Sequence, residues 1–360
     1  MRIAQVAPLY ESVPPSLYGG TERVVHFLTE ELVRQGHEVT LFASGDSVTS
    51  ARLVSPRATS LRLDRADAVE ATGFHALQAE MVARGAERGD FDIVHVHGDQ
   101  SIWSVLRRVG VPHVTTLHGR LDLPSVTSLL RLFDDEPLVS ISDSHRTPVS
   151  DANWMSTVHH GLPKRLFSQG TGDGGYLAFL GRMSPEKRPD LAIEIADRTG
   201  IPLKLAAKVD GSDIEYFDRV VKPRLDASPY AEFVGEVNDL AKNDFLGGAM
   251  AMVFPIDWPE PFGLAMIEAL ACGTPVLAFN RGSVPEVIRH GISGYIVDGV
   301  DEAVRAVECL PMISRSDCRR DFETRFSAER MARDYLDVYA RVIGDTQGRG
   351  TDPRVRLAVA

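Results

Sequence analysis

Two carboxylates, Glu260 and Glu268, stand with seven residues between them in Trp258-Pro259-Glu260-Pro261-Phe262-Gly263-Leu264-Ala265-Met266-Ile267-Glu268. The flanking prolines keep Glu260 out of a helix, because proline lacks an N–H and fixes φ. From about Gly263 the pattern turns helical: Leu264, Ile267, Ala269 and Leu270 are apolar, and Gly273 and Pro275 stop it. Glu260 is therefore expected in a loop, and Glu268 more than a turn inside the helix that follows. A helix N-terminus offers unpaired N–H groups and a partial positive charge. A phosphate there would be flanked by two acids able to accept hydrogen bonds from hydroxyls, which suits a ligand carrying both phosphate and sugar. Glutamates at both ends of a surface helix also occur by chance. The apolar Phe262-Gly263-Leu264 step, where a surface loop would be polar, favours a site.

Other candidates carry complementary chemistry. Arg182 and Lys187 lie in Gly181-Arg-Met-Ser-Pro-Glu-Lys-Arg-Pro189, between an apolar run ending at Leu180 and a helix starting near Asp190. Arginine forks onto phosphate oxygens and lysine acts as a point charge, although a basic run is more often only a solvated face. Gly19 and Gly20 stand between a strand and a helix, where glycine lets the backbone approach a phosphate. This is not the dinucleotide fingerprint, and paired glycines commonly mark only a turn. His118 follows Thr115-Thr116-Leu117, just past the C-terminal edge of a strand, where open α/β sheets bind ligands; a turn histidine is the plain alternative. His95 and His97 alternate on one face of a strand. No third ligand has suitable spacing for a metal, so packing or substrate contact is the better reading.

The elements that must position these residues follow a repeated β/α pattern. Strands are expected at 2–7, 37–43, 92–97, 113–117, 138–142 and 156–160, with a helix from Gly19-Gly20 to Gln35. His160-Gly161-Leu162-Pro163 reads as a hinge, and the glycine-rich Gly170 to Gly175 as a surface loop before a second domain. The pattern then restarts, with strands at 176–180, 203–206, 233–237, 251–254, 275–279 and 294–297. A final amphipathic helix is expected over 327–343, followed by a polar tail, 344–360. The domain reading is 1–161, 162–326, the helix and the tail. Alternation of strands and helices in both halves implies doubly wound α/β sheets.

The stretch Trp258 to Glu268, continued by Ala269-Leu-Ala-Cys-Gly-Thr-Pro-Val276, resembles the signature of the family-4 retaining glycosyltransferases of the GT-B fold. Gly-Gly-Thr-Glu-Arg at 19–23 resembles the family loop whose backbone faces donor phosphates, and Gly181 to Lys187 its diphosphate-binding segment. Phe-Val-Gly-Glu-Val at 233–237 resembles the segment whose backbone near Val237 faces the nucleobase. Gly282 to Glu286 resembles a turn near the donor. The likeness runs to about residue 343 and is strongest over 176–298. It departs after Ala206, where Ala207-Lys208-Val209-Asp210 replaces a glycine-rich turn, which puts the base side of the pocket in doubt. The resemblance implies two facing Rossmann-like domains with a cleft between them. It implies a nucleotide-sugar donor of UDP or GDP type, an acceptor hydroxyl on a glycan, lipid or small molecule, and retention at the anomeric carbon. Arg182 and Lys187 would stabilise the leaving diphosphate. Glu268 would bind ribose hydroxyls. Glu260, with the Phe262, Gly263 and Leu264 step, would hold the sugar, and His118 would contact it from the first domain. No cofactor and no metal are expected.

Bulk properties narrow the classes. The chain has 360 residues, more than one core usually serves. Its formal net charge of −11 argues against nonspecific nucleic-acid binding. There is no apolar run long enough to span a membrane and no signal-like N-terminus, and the three cysteines have no metal-type spacing. A cytoplasmic location is the expectation. The rival readings are a nucleotide-sugar epimerase or a phosphorylase on the same architecture, or a non-catalytic two-lobed binding protein. An epimerase would convert donors without an acceptor, a phosphorylase needs a lysine-bound pyridoxal phosphate that nothing here marks, and a binding protein would show no turnover.

Overall fold

A strand buried on both faces is apolar along nearly all its length, and Ile93–Val96, Ala251–Phe254 and Val276–Phe279 are buried at every position, with His95 the one polar side chain among them. The computed structural model describes residues 1–16, 19–63, 68–98 and 100–349. The chain divides into two compact units. Unit 1 is Met1–Ile141, Arg146–Gly161 and Ala328–Ala360; unit 2 is Ser142–His145 and Leu162–Ser327.

Unit 1 holds a seven-stranded sheet: β1 (Arg2–Val6), β2 (Glu38–Phe42), β3 (Arg52–Val54), β4 (Ile93–Val96), β5 (His113–Thr116), β6 (Leu138–Ser140) and β7 (Trp154–Thr157). Their order is β3-β2-β1-β4-β5-β6-β7, with parallel pairing throughout. Helices α1 (Gly20–Arg34), α2 (Ala68–Glu87), α3 (Trp103–Val109) and α4 (Pro124–Leu132) connect the strands; α5 (Asp143–Arg146), next after β6 in the chain, counts with unit 2 for all but Arg146. The strand order reverses between β1 and β4, so the loops after these two strands diverge to opposite sides and leave room for a ligand.

Unit 2 repeats the plan with six strands: β8 (Leu177–Arg182), β9 (Leu203–Lys208), β10 (Ala231–Gly235), β11 (Ala251–Phe254), β12 (Val276–Phe279) and β13 (Gly294–Val297). Their order is β10-β9-β8-β11-β12-β13, again parallel, and the reversal falls between β8 and β11. The helices are α6 (Pro189–Thr199), α7 (Ile214–Tyr216), α8 (Lys222–Ala227), α9 (Asp239–Gly248), α10 (Leu264–Ala271), α11 (Val284–Val287), α12 (Val300–Val307) and α13 (Arg315–Arg325). The last helix, α14 (Ala328–Arg349), belongs to unit 1, where its Tyr335, Tyr339 and Met331 are fully buried.

Several boundaries differ from the sequence expectation. The stretch read as a polar tail, 344–360, is helical as far as Arg349, and residues 350–360 lie outside the described residues. Gly344, a residue that often ends a helix, is carried inside this one, and residues 344–349 contain no proline to break it. β7 begins at Trp154 rather than at Ser156. β10 ends at Gly235, whose φ of +80° breaks the strand, so Val237 lies in the loop before α9. Gly170 to Gly175 is not a loop free of the body: the Gly170, Gly172 and Gly174 N–H groups donate to Cys272, Gly247 and Gly248 oxygens at 2.9–3.0 Å. Arg315 locks the same place, donating to the carbonyls of Gly170, Gly247, Ala249 and Cys272.

Candidate functional site

In unit 2 the candidates gather at the carboxyl ends of β8 and β11, the two strands at which the order reverses. Arg182 is the last residue of β8, and Lys187 lies in the turn that leads into α6. Arg188 closes that turn with φ 51°, in the left-handed region that a side chain normally avoids. It is held there by Asp190, to which its Nη2 donates at 2.9 Å, and by Asp257 at 2.9 Å. Tyr216 donates to the same Asp190 at 2.7 Å. Those carboxylates, Asp190 first, raise the Arg188 guanidinium above its ordinary value, so it stays charged and the turn stays fixed.

Glu260 comes from the loop after β11. Lys187 Nζ donates to Glu260 Oε2 at 2.6 Å and the Trp258 indole donates to the same oxygen at 2.7 Å. The Lys187 ammonium also stands 5.5 Å from the centre of the Phe254 ring. A backbone bond of 2.9 Å from Asp257 N–H to Glu186 oxygen ties the two loops together. The sequence expectation placed Lys187 on phosphate and Glu260 on sugar without pairing them; the structure shows them in contact.

The loop carrying Glu260 is clamped from behind. Ser283 N–H donates to the Glu260 carbonyl at 3.0 Å and the Ser283 hydroxyl to the Phe262 carbonyl at 2.8 Å. The approach requires Gly282, with φ +56°: a Cβ there would sit 2.2 Å from Glu260 N. Gly263 caps α10 with φ +80°, and Leu264 is the first helical residue. Phe262 is 2% exposed and packs edge-on to Phe326 at 6.1 Å, so its side chain is core and only its backbone can face a ligand.

Arg182 and Glu268 have partners that the sequence did not announce. Arg182 Nη1 donates to Asp213 at 3.2 Å and lies 4.0 Å from Asp210, which also pairs with Lys208 at 2.7 Å. Burial raises the Asp213 carboxyl above its ordinary value; Glu186 and Asp210 push the same way, and Arg182 opposes them. Glu268 is 4% exposed and accepts from Lys242 Nζ, on α9, at 2.8 Å. Lys242 also lies 3.5 Å from Asp239. The spacing from α9 to α10 carries no local signal for this pair. A lysine facing inward on α9, close after Val237, was the clue available.

The remaining candidates lie in unit 1. Gly19 precedes α1 and Gly20 opens it, after β1, on one side of the strand-order reversal. The position of a Gly19 Cβ is taken by Pro15, 2.7 Å away, so no side chain fits. Glu22, in the first turn of α1, was missed as a candidate: it is 6% exposed, and burial pushes its carboxyl up to about 7. His118 follows β5, half-buried, 3.1 Å from His97 Nδ1 and stacked on His160 with ring centres 5.3 Å apart. His95 and His97 are buried in hydrogen bonds to Tyr339, Thr116 and Gln5. Among the described residues, no group of three His, Cys, Asp or Glu is arranged to hold a metal.

Comparison with known proteins gives this geometry a lineage. The family model for glycosyl transferases group 1 matches residues 166–314, and that for glycosyltransferase family 4 matches residues 18–154. The chain belongs to the group 1, family-4 glycosyltransferases. The D-inositol 3-phosphate glycosyltransferase of Mycolicibacterium smegmatis is 25% identical over 94% of this chain and 90% of its own. Sucrose-phosphate synthase from Thermosynechococcus elongatus aligns with a TM-score of 0.78 and 16% identity, over 96% of this chain and 99% of its own. Anabaena HepE in complex with UDP and glucose aligns with a TM-score of 0.71 and 16% identity, over 94% of this chain and 99% of its own. These structural neighbours establish the GT-B fold, and the chain is a glycosyltransferase. The epimerase, phosphorylase and binding-protein readings fall with that assignment. No helix among the described residues is long and apolar enough to cross a membrane.

Proposed function

We propose that this glycosyltransferase moves a sugar from a UDP- or GDP-sugar to an acceptor hydroxyl with retention at the anomeric carbon, and without a metal ion. The observation that carries the reading is the contact of Lys187 with Glu260 at the ends of β8 and β11: a cation and a hydroxyl-binding carboxylate 2.6 Å apart at a topological switch point. The HepE complexes with UDP and with UDP-glucose make UDP-glucose the first donor to try.

Arg182 and Lys187 would meet the growing charge on the diphosphate, which is what a divalent ion does in other transferases. The N–H groups of the α10 start, and of Gly19 and Gly20, would add fixed dipoles. Glu260, oriented by Lys187 and Trp258, accepts from sugar hydroxyls, with the Phe262 to Leu264 backbone beside it. Glu268, held by Lys242, accepts from the ribose, and Val237 lies toward the base. His118 contacts the transferred sugar. In the step itself the bond from the anomeric carbon to the phosphate oxygen breaks. The acceptor oxygen bonds to the same face, and its proton passes to the departing phosphate. No carboxylate is assigned as a nucleophile beneath the ring.

Proton NMR of the product made from an α-configured donor tests retention: an α product is expected, and a β product overturns it. Full activity after EDTA treatment is expected. Loss of activity that a divalent ion restores overturns metal independence.

A further inference from the structure

The cations at the carboxyl ends of β8 and β9 are already matched with carboxylates. Lys187 donates to Glu260 at 2.6 Å. Arg188 forks onto Asp190 and reaches Asp257. Lys208 pairs with Asp210 at 2.7 Å, and Arg182 donates to Asp213 at 3.2 Å. Arg182 and Lys208 stand side by side in the register of β8 and β9. Glu186, in the same turn as Lys187, lies within electrostatic reach of Arg182, Lys187 and Asp213. Arg182, Lys187 and Lys208 thus face Glu186, Asp210, Asp213 and Glu260, which leaves one negative charge in excess. A diphosphate brings further negative charge to this place. It must win its cations from the protein's own acids.

The pairs are not equally firm. Glu260 takes a second bond from Trp258, and Ser283 clamps its loop. Asp190 accepts from both Arg188 and Tyr216. The bond from Arg182 to Asp213 is the longest of the set. Asp213 is buried, which raises its carboxyl above the ordinary value; Arg182 opposes this, and Glu186 and Asp210 push upward again. The charge of Asp213 therefore leans on Arg182. The Arg182 side chain is 26% exposed, so an anion can reach it, and a guanidinium fork fits phosphate oxygens as well as a carboxylate. Asp213 itself is held in place. Tyr216, three residues on and on the same helix face, donates to Asp190 at 2.7 Å. A wider π-turn at Phe217–Val221 then lets Val221 point into the core, where it is fully buried. The flexible partner in the pair is the arginine.

We propose that Asp213 is an internal counterion exchanged for the donor's diphosphate at Arg182. It holds the guanidinium in the free enzyme, yields it on binding, and takes it back as the nucleoside diphosphate leaves. The diphosphate rests on the proposed function; the competing pair rests on unit 2 alone. Asp213 acts through Arg182, so it is a positioning residue. The departing nucleotide carries the phosphates that anchored the donor. A built-in competitor for Arg182 keeps it from being held so tightly that its release slows turnover.

Calorimetric titration of the full chain in EDTA with UDP, and with GDP and ADP should UDP not bind, tests the exchange. Asp213→Asn removes the competing charge and keeps the shape. It should bind the nucleotide about tenfold tighter than wild type, the order of one charge-assisted hydrogen bond, and product inhibition should strengthen alike. Asp213→Glu restores the charge and should bind as wild type does. Tyr216→Phe cuts the other tie of the same helix face and should not tighten binding. Tightening equal to that of Asp213→Asn would point to a loosened helix and overturn the exchange. Unchanged or weaker binding by Asp213→Asn also overturns it, because Asp213 would then only hold Arg182 in place. A crystal structure of wild type with the nucleotide should show Arg182 on phosphate oxygens and beyond hydrogen-bond reach of Asp213; a bond that persists overturns the proposal. Tightening of wild type by magnesium that Asp213→Asn lacks would make Asp213 the partner of a divalent ion, and would overturn it as well. Wild type and variants that bind none of the three nucleotides would fail the proposed function, and the exchange with it. Binding that Asp213→Asn leaves unaltered fails the exchange alone.

Discussion

Lys187 reaches Glu260 across 73 positions of sequence and donates to its carboxylate at 2.6 Å, beside the Trp258 indole on the same oxygen. The side chains are 16% and 11% exposed, so the pair is largely withdrawn from water, where removing one partner is more costly than the pair itself is stabilising. The contact joins the loop that would hold phosphate to the loop that would hold sugar, so charge at one is felt at the other.

Lys187→Ala therefore removes a phosphate ligand and also strands Glu260. The expected outcome is a fall in kcat/KM of about 100- to 1000-fold, as for the loss of one charge-stabilising group. Trp258→Phe, which deletes only the second donor to Glu260, should cost about tenfold. Steady-state rates with UDP-glucose check both. Equal losses from the two variants would mean that Lys187 acts only by holding Glu260.

Lys242→Met should weaken nucleotide binding. Glu268 is 4% exposed, and losing Lys242 leaves a buried carboxylate without the ammonium that donates to it at 2.8 Å. The carboxylate would lose the bond that fixes its orientation and accept poorly from ribose hydroxyls. Calorimetric titration with UDP should show a dissociation constant raised about tenfold, about 1.4 kcal/mol. Combining Lys242→Met with Glu268→Gln should add little to either alone, because residues that act as one unit are not additive. Fully additive losses would separate the lysine from the ribose site.

How legible this was follows from how local each feature is. The Glu260 loop and α10 are spelled out by Pro259, Pro261, Gly263 and Gly273 within one short stretch, and the strands by continuous apolar runs such as Ala251 to Phe254. Lys187 was found from its place after a strand, but its contact with Glu260 was not, since register between β8 and β11 is a tertiary property. Lys242, Asp213 and the buried Gln5 escaped for the same reason: a single polar residue in an apolar pattern does not name its partner. The edge strand Arg52–Val54 is only three residues long and half-exposed, too short for an alternation to be visible. The extension of α14 to Arg349 escaped because polar composition was read as a tail, whereas a helix whose other face is buried tolerates it.

Gly282→Ala should damage the site without touching a ligand. The new Cβ would lie 2.2 Å from Glu260 N and 2.4 Å from Glu260 O, both backbone atoms that cannot swing aside, at a φ of +56°. The 281–284 turn must move off the loop, and Ser283 would lose its bonds to Glu260 and Phe262. A destabilisation of about 1–3 kcal/mol is expected, together with a loss of activity larger than the fraction unfolded explains. Thermal melts and rates on the same sample check this. Gly291→Ala is the control: its φ is +77°, but nothing lies within 4 Å of the new Cβ, so strain acts there without a clash.

Glu22 makes stability depend on pH in a defined window. Its carboxyl is pushed from the ordinary 4.5 up to about 7, chiefly by burial, with Glu11 adding to the effect and its own backbone N–H and Arg62 opposing it. The unfolded chain therefore gives up this proton near 4.5, while the folded chain keeps it to about 7. Between those values the folded state binds more protons than the unfolded one, so stability falls as pH rises. The contribution is complete below 4.5, is lost progressively through the window and is constant above it. A shift of this size corresponds to about 3 kcal/mol. Glu22→Gln cannot ionise, so its melting temperature should lack that decline and exceed the wild type's at pH 8. Because Glu22 Oε2 lies 3.2 Å from where a Gly19 Cβ would be, the same proton sits against the loop proposed to face the diphosphate. Nucleotide binding should then weaken in the wild type, but not in the variant, as pH rises through 7 and a negative charge appears behind that loop. Identical pH profiles of melting and binding for the two proteins would remove Glu22 from both roles.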